Sequence, residues 1–181
     1  TKSADAQRMI KLGPLLNISL AETGDAEIAA SDLVIEAVVE NIQVKQQLFD
    51  RLEPQMSDQA ILASNTSTIP ITQLAQKLKR PEQFCGIHFF NPVRRMQLVE
   101  VIRGKHKSDE TIASAVAYAK QIGKMPIVVN DGPGFLVNRL LFPYMNESVE
   151  LLCEGASIKA IERAAKSFGM PMGPIELFDM V

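Results

Sequence analysis

Residues 32–65 read DLVIEAVVENIQVKQQLFDRLEPQMSDQAILASN. DLVIEAVVE is a continuous apolar run, the pattern of a strand covered on both faces. Asn41 stands where a helix cap belongs. Val44, Leu48 and Leu52 then recur along one side of the segment, and Pro54 lies just past its end. AILASN reads as the next strand. A strand, a helix and a strand in this order make a crossover unit, and crossover units build parallel sheets.

The same alternation continues in both directions. Upstream, LNISLA reads as a strand and DAEIAAS as helical. Downstream, PITQLAQKLK reads as a helix with Pro70 in its first turn, and CGIHFF and QLVEVI as two further strands. SDETIASAVAYAKQIG is the clearest helix. Ser108 caps it, acids fill its first turn, Ile112, Ala115, Val116, Ala119 and Ile122 share a face, and Gly123 stops it. MPIVVN is the last strand. After Asp131 the pattern changes to GPGFLVNRLLFPYMNESVELLCEG and SIKAIERAAKSFG, both helical, and PIELFDMV begins another helix. The expected organisation is therefore α/β. Residues 1–131 form a mostly parallel, Rossmann-like sheet with helices on both faces, and residues 132–181 begin an all-helical domain, the boundary falling near Asp131–Gly134.

The chain has 181 residues, 46% hydrophobic and 22% charged, with a net charge of −2. That composition supports a real core and leaves no electrostatic footprint for nucleic acid. Cys85 and Cys153 match no metal spacing and read as reduced thiols, one in the core and one on a helix face. No stretch is apolar for long enough to cross a bilayer, and TKSADAQRMIKL lacks the layout of a signal peptide. The expectation is a soluble intracellular protein.

In open α/β sheets, ligands bind beyond the carboxyl ends of the strands. Glu40 and Asn41 follow the first quoted strand; Asn65, Thr66 and Ser67 follow AILAS; His88 and Asn91 bracket the end of CGIHFF; Asn138 comes soon after MPIVVN. Each has a plainer reading as a cap, a turn or a surface residue, and for Thr66 and Thr68 capping is preferred. Their coincidence at four strand ends carries more weight than any one of them. Two titratable groups stand inside apolar strands. A hairpin centred near Arg94 would oppose His88 and Glu100 directly, within reach of each other. A carboxylate beside an imidazole fixes its tautomer, as in a catalytic triad. Position alone leaves open a buried pair that only satisfies itself.

VVENIQVKQQLF, ASNTST, HFFNPVRRMQLVEVI and NDGPGFLVNRLLFPY resemble the 3-hydroxyacyl-CoA dehydrogenase family, in this order and over almost the whole chain. RMQLVEVIRG and PIVVNDGPGFLVNRLLFPY look most like the dehydrogenase region of the bacterial multifunctional fatty-acid oxidation complex α-subunit, with a stand-alone short-chain or 3-hydroxybutyryl-CoA dehydrogenase as the less similar alternative. The resemblance implies oxidation of (S)-3-hydroxyacyl-CoA to 3-oxoacyl-CoA with NAD, in fatty-acid β-oxidation in a bacterial cytoplasm. It implies an acyl-CoA substrate, and either a homodimer or a complex with a thiolase subunit. By resemblance His88 is the catalytic base and Glu100 its orienting partner, while Ser67 and Asn138 hold the reacting part of the substrate. Glu40, Lys45, Asn65, Ser67 and Asn91 would bind NAD, with Val38 and Val39 beside it.

The family's glycine-rich phosphate loop is not found in these residues. The G-x-G of DGPGF follows the last strand and reads as an interdomain turn. The first βαβ unit is therefore expected upstream of Thr1 and most of the helical domain beyond Val181, so that the chain by itself is expected to be inactive. A catalytically silent, crystallin-like member of the same fold is the competing reading, and another hydroxyacid substrate a third. The presence of His88, Glu100 and Ser67 favours the enzyme.

Overall fold

The computed structural model describes residues 26–106 and 108–179. The expected strand over LNISLA lies outside them. A one-turn helix, α1 (Ala26–Ala29), leads into β1 (Leu33–Glu36). Then come α2 (Ile42–Leu52), β2 (Ile61–Ser64), the short α3 (Ile71–Leu74), β3 (Phe84–Phe89) and β4 (Leu98–Arg103). They are followed by α4 (Asp109–Gln121), β5 (Met125–Asn130), α5 (Val137–Cys153), α6 (Ile158–Phe168) and α7 (Pro174–Phe178). This is the expected class: a mostly parallel Rossmann-like sheet, then helices.

The five strands lie in the order β1-β2-β3-β4-β5. β1, β2 and β3 are parallel; β4 is antiparallel to β3; β5 is parallel to β4. The last two strands thus run against the first three. The carboxyl ends of β1–β3 share one edge with the amino ends of β4 and β5.

Strand parity divides the core. Leu62, Phe84, Ile102 and Val129 face Phe49 and Leu52 of α2 and Ile71 and Leu74 of α3. Phe49 and Phe84 meet edge to face at 5.3 Å, a geometry worth roughly 0.5–1.5 kcal/mol beyond the area it buries. Ala63, Cys85, Ile87, Val99 and Val101 face Ile112, Ala115 and Ala119 of α4 on the other side. Gly86 is placed by this packing. A Cβ there would come within 2.7 Å of Ile102 and 2.8 Å of Ile71.

Several boundaries differ from expectation. β1 ends at Glu36, where its register with Ser64 runs out, rather than at Glu40. Beyond it Val39 is 65% exposed. The helix expected over PITQLAQKLK is only Ile71–Leu74 followed by a 3₁₀ turn, and Pro70 is its cap residue rather than part of its first turn. Ile122, expected on the buried face of α4, is the C-cap residue and is exposed, because the helix ends at Gln121 and Gly123 at φ 77° turns the chain directly after it. Among the described residues no helix is long and apolar enough to cross a membrane.

Candidate active site

β3 and β4 pair His88 with Glu100 as Cα partners, the register implied by a hairpin centred near Arg94. Directly opposed residues project from the same face. His88 Nδ1 lies 2.8 Å from Glu100 Oε2, and the two residues are 4% and 0% exposed. The imidazole stands between two aromatic rings, Phe90 at 4.5 Å and Phe135 at 5.8 Å. With Nδ1 committed to the carboxylate, Nε2 is the nitrogen left to exchange a proton with another molecule.

The second carboxylate oxygen has its own partners. Glu100 Oε1 accepts from the backbone N–H of Leu136 at 3.1 Å and of Val137 at 2.9 Å. These are the cap residue and first residue of α5, which has no side-chain cap of its own. An acid from β4 therefore caps a helix some 36 residues further along the chain, where the helix dipole favours negative charge. Burial acts to raise the Glu100 carboxyl, but the bonds from His88, Val137 and Leu136 outweigh it and hold it below the ordinary carboxylate value.

The connection that delivers α5 explains this contact. β5 ends at Asn130, opposite Arg103, on the edge away from His88. Asp131 there caps α3 by accepting from Ile71 N at 2.9 Å and Thr72 N at 2.7 Å. Gly132–Leu136 then returns to the site. Gly134 adopts φ 69° and Phe135 φ 48°; the left-handed region is unusual for a phenylalanine, and its ring is buried against His88.

The loops after β1 and β2 are joined by a polar cluster. Glu36 accepts from Val38 N at 2.8 Å, from Ser64 Oγ at 2.7 Å and from the Lys45 ammonium. Lys45 is 1% exposed and also reaches Val38 O at 3.2 Å and Glu40 Oε2 at 3.4 Å. Glu40 Oε1 accepts from the Thr66 hydroxyl, from Ser67 N at 3.0 Å, and from the amide and hydroxyl of Thr68, each at 3.1 Å. Burial acts to raise the Glu40 carboxyl, but bonds from Thr66 and Thr68 and the charge of Lys45 hold it below its ordinary value. Thr66 also caps the turn at Ile69 N, 3.0 Å away, so its capping reading stands. Asn65 Oδ1 accepts from Phe89 N at 2.9 Å and ties the ends of β2 and β3 together.

Asn138 meets Ser67. Its Nδ2 donates to Ser67 O at 3.1 Å. The fold thus brings His88, Glu100, Ser67 and Asn138 to one edge through contacts of backbone and side chains. Asn91 is exposed just past β3, and Val38 and Val39 are exposed past β1. One expectation needs correction: Asn138 does not reach the site by following a strand that ends there; the linker carries it back across the sheet. Lys45, expected to touch NAD, is buried with its ammonium on Glu36. Glu36 and Phe135 were not singled out from sequence. The signal for Glu36 was available: an acid inside an apolar strand, as at Glu100.

The chain is similar to known proteins in sequence and fold. Residues 6–132 match the family model for the 3-hydroxyacyl-CoA dehydrogenase NAD binding domain, and residues 134–181 match that for the C-terminal domain. (S)-3-hydroxybutyryl-CoA dehydrogenase PaaH1 from Ralstonia eutropha is 39% identical with a TM-score of 0.86, over 98% of this chain and 68% of that one. FadB2 of M. tuberculosis is 38% identical with a TM-score of 0.81, over 86% and 56%. The 3-hydroxybutyryl-CoA dehydrogenase of Escherichia coli K12 is 41% identical with a TM-score of 0.80, over 85% of this chain and 33% of that chain's length. A sheet of this topology, a histidine–carboxylate pair at its edge and these two matches laid end to end have one common source: the chain belongs to the 3-hydroxyacyl-CoA dehydrogenase family.

Proposed function

We propose that the protein carrying this chain oxidises (S)-3-hydroxyacyl-CoA to the 3-oxoacyl-CoA with NAD. The observation that carries the proposal is His88: a buried imidazole held at Nδ1 by Glu100, with that carboxylate held in turn by the start of α5. The residues at this edge fit the nicotinamide half of a dinucleotide. Val38 and Val39 offer an exposed apolar wall, Asn91 an exposed amide, and the Ser67 hydroxyl makes no hydrogen bond among the described residues.

NAD, when bound at this edge, would supply the acceptor for the hydride of C3. His88 takes the hydroxyl proton on Nε2 as the C3–O bond gains double-bond character. Glu100 keeps the ring in the tautomer that leaves Nε2 free, and its negative charge offsets the positive charge the ring acquires. Ser67 and Asn138 hold the substrate oxygen. Asn138 Nδ2 donates one of its two hydrogens to Ser67 O, which leaves the second to donate to the substrate oxygen. Glu40 and Asn65 shape the loops that carry these groups.

On this reading the enzyme serves fatty-acid β-oxidation in a bacterial cytoplasm, within a larger multifunctional chain, as a homodimer or in a complex with a thiolase subunit. The likeness of RMQLVEVIRG to the fatty-acid oxidation complex supports this setting. The test is reduction of acetoacetyl-CoA by NADH, followed at the NADH absorbance, in the intact protein and in His88→Gln. We expect turnover in the first and a loss of about 10²–10⁴-fold in the second. An unimpaired His88→Gln variant would refute the assignment.

A further inference from the structure

Glu36 is a buried acid that the mechanism above does not use. It is 3% exposed, on the last residue of β1, and all its partners come from outside its own strand: Val38 N, Ser64 Oγ and Lys45 Nζ. Lys45 has three donors, and three acceptors face it: Glu36 Oε1, Val38 O and Glu40 Oε2. Contact between Lys45 and a dinucleotide would require one of these to be given up. Glu40 in turn gathers the Ser67 and Thr68 amides and two hydroxyls on one oxygen.

A buried ion pair is weak support for stability, since well-packed apolar residues of the same volume often serve the fold as well. An apolar pair could not grip Val38 by both its N–H and its carbonyl while holding a second carboxylate in place. We propose that Glu36 is a positioning residue for the nicotinamide side of the site. It fixes Lys45, Lys45 fixes Glu40, and Glu40 sets the Ser67–Thr68 turn, which Asn138 also grips through Ser67 O. Through the same contacts Glu36 shapes the exposed Val38–Val39 wall. The proposal rests on the NAD-dependent reading given above.

Glu36→Gln alone strands a buried ammonium and risks the fold, so the deciding variant is Glu36→Gln combined with Lys45→Met, which fills the same space without charge. In the intact protein four measurements are made beside the parent: the melting temperature, hydrogen exchange at the amides of Val38, Ser67 and Thr68, NAD affinity by calorimetry, and steady-state KM for NAD and for acetoacetyl-CoA. The double variant is expected to melt within a few degrees of the parent. Its Ser67 and Thr68 amides lose protection, and its Kd and KM for NAD rise tenfold or more, while KM for acetoacetyl-CoA stays within twofold. A merely structural role would lower the melting temperature and leave KM for NAD unmoved. NAD affinity within twofold of the parent, with the Ser67–Thr68 amides still protected, would overturn the proposal. Should the parent itself bind no NAD, the functional reading fails separately, and the exchange data decide: unchanged protection overturns the positioning chain, and lost protection upholds it.

Discussion

Replacing Glu100 by glutamine keeps the shape of the side chain and sets its two ends in conflict. The carboxylate accepts on both oxygens, from His88 on one and from Leu136 and Val137 on the other. An amide accepts on one side only. If its oxygen stays with the two backbone N–H groups, its NH₂ faces His88 Nδ1, which must then accept. The ring proton moves to Nε2, and the lone pair that should receive the substrate proton is gone. If the amide flips, its NH₂ meets two donors at the start of α5, in a site with no solvent access. The first arrangement loses less, since it keeps all three hydrogen bonds while the flipped amide sets its NH₂ against two donors, so the variant folds with the wrong tautomer. The corresponding change in a Ser–His–Asp triad costs about 10⁴ in rate. A single general base contributes about 10²–10⁴. We therefore expect kcat to fall at least a hundredfold, about 2.7 kcal/mol of transition-state stabilisation. NAD affinity should stay within about threefold, because the loss lies in the chemical step. The assay is NADH-dependent reduction of acetoacetyl-CoA with NAD titrated separately by calorimetry. Turnover within threefold of the parent would refute the reasoning, as would an NAD affinity that falls by the same factor as the rate. Stability carries a second signature. The folded carboxyl lies below its ordinary value, so its contribution is present above the unfolded value and is lost as pH falls through the folded one. Acid titration of the parent from about pH 4 downward should show this loss, and the variant should lack it.

Three further outcomes follow from the packing. Phe135→Ala should destabilise by about 3–5 kcal/mol, as for a buried phenylalanine, whereas Phe135→Gly should cost less than the alanine by roughly 1 kcal/mol, because only glycine is at ease at φ 48°; urea denaturation reads the order, and alanine being the milder change would show that the backbone conformation is wrong. Gly86→Ala should cost about 1–3 kcal/mol by driving Ile71 and Ile102 apart, measured in the same way. Burial pushes the Cys85 thiol up to about 12, so iodoacetamide at pH 8 should label exposed Cys153 in the native protein and reach Cys85 only after unfolding, as peptide mass spectrometry would show.

The parts of the site that depend on local chain geometry were legible in the sequence. His88 and Glu100 are equidistant from Arg94, and a hairpin leaves little freedom for a pair so placed. The crossover read from residues 32–65 is present, since its helix is long, capped by Asn41 and amphipathic. What escaped depends on side chains choosing partners across long separations. Nothing local distinguishes Lys45 as buried, because its burial is decided by Glu36 on another element. The end of β1 was misjudged for a similar reason: the apolar run continues to Val39, but a strand lasts only as long as its neighbour supplies a ladder, and β2 stops at Ser64. Asn138 reaches the expected edge although β5 points the other way, because the linker after β5 returns across the sheet. The return of Gly132–Leu136 across the sheet was invisible until strand directions were known.

That return has a consequence for how such proteins can be taken apart or recombined. A junction of glycines and proline between a sheet domain and a helical segment looks like a convenient place to graft one partner onto another. Here the cut would separate an acid from the donors that neutralise it. Glu100 belongs to β4, its hydrogen-bond donors to the first turn of α5, and only Phe135 at its unusual dihedral lies between those donors and the glycines. A chimera joined within 132–136 would retain every residue of the histidine pair and still present a carboxylate with one side bare. Transplants that respect the chemistry must therefore move the seam beyond the first turn of α5, so that the helix start travels with the strand it serves.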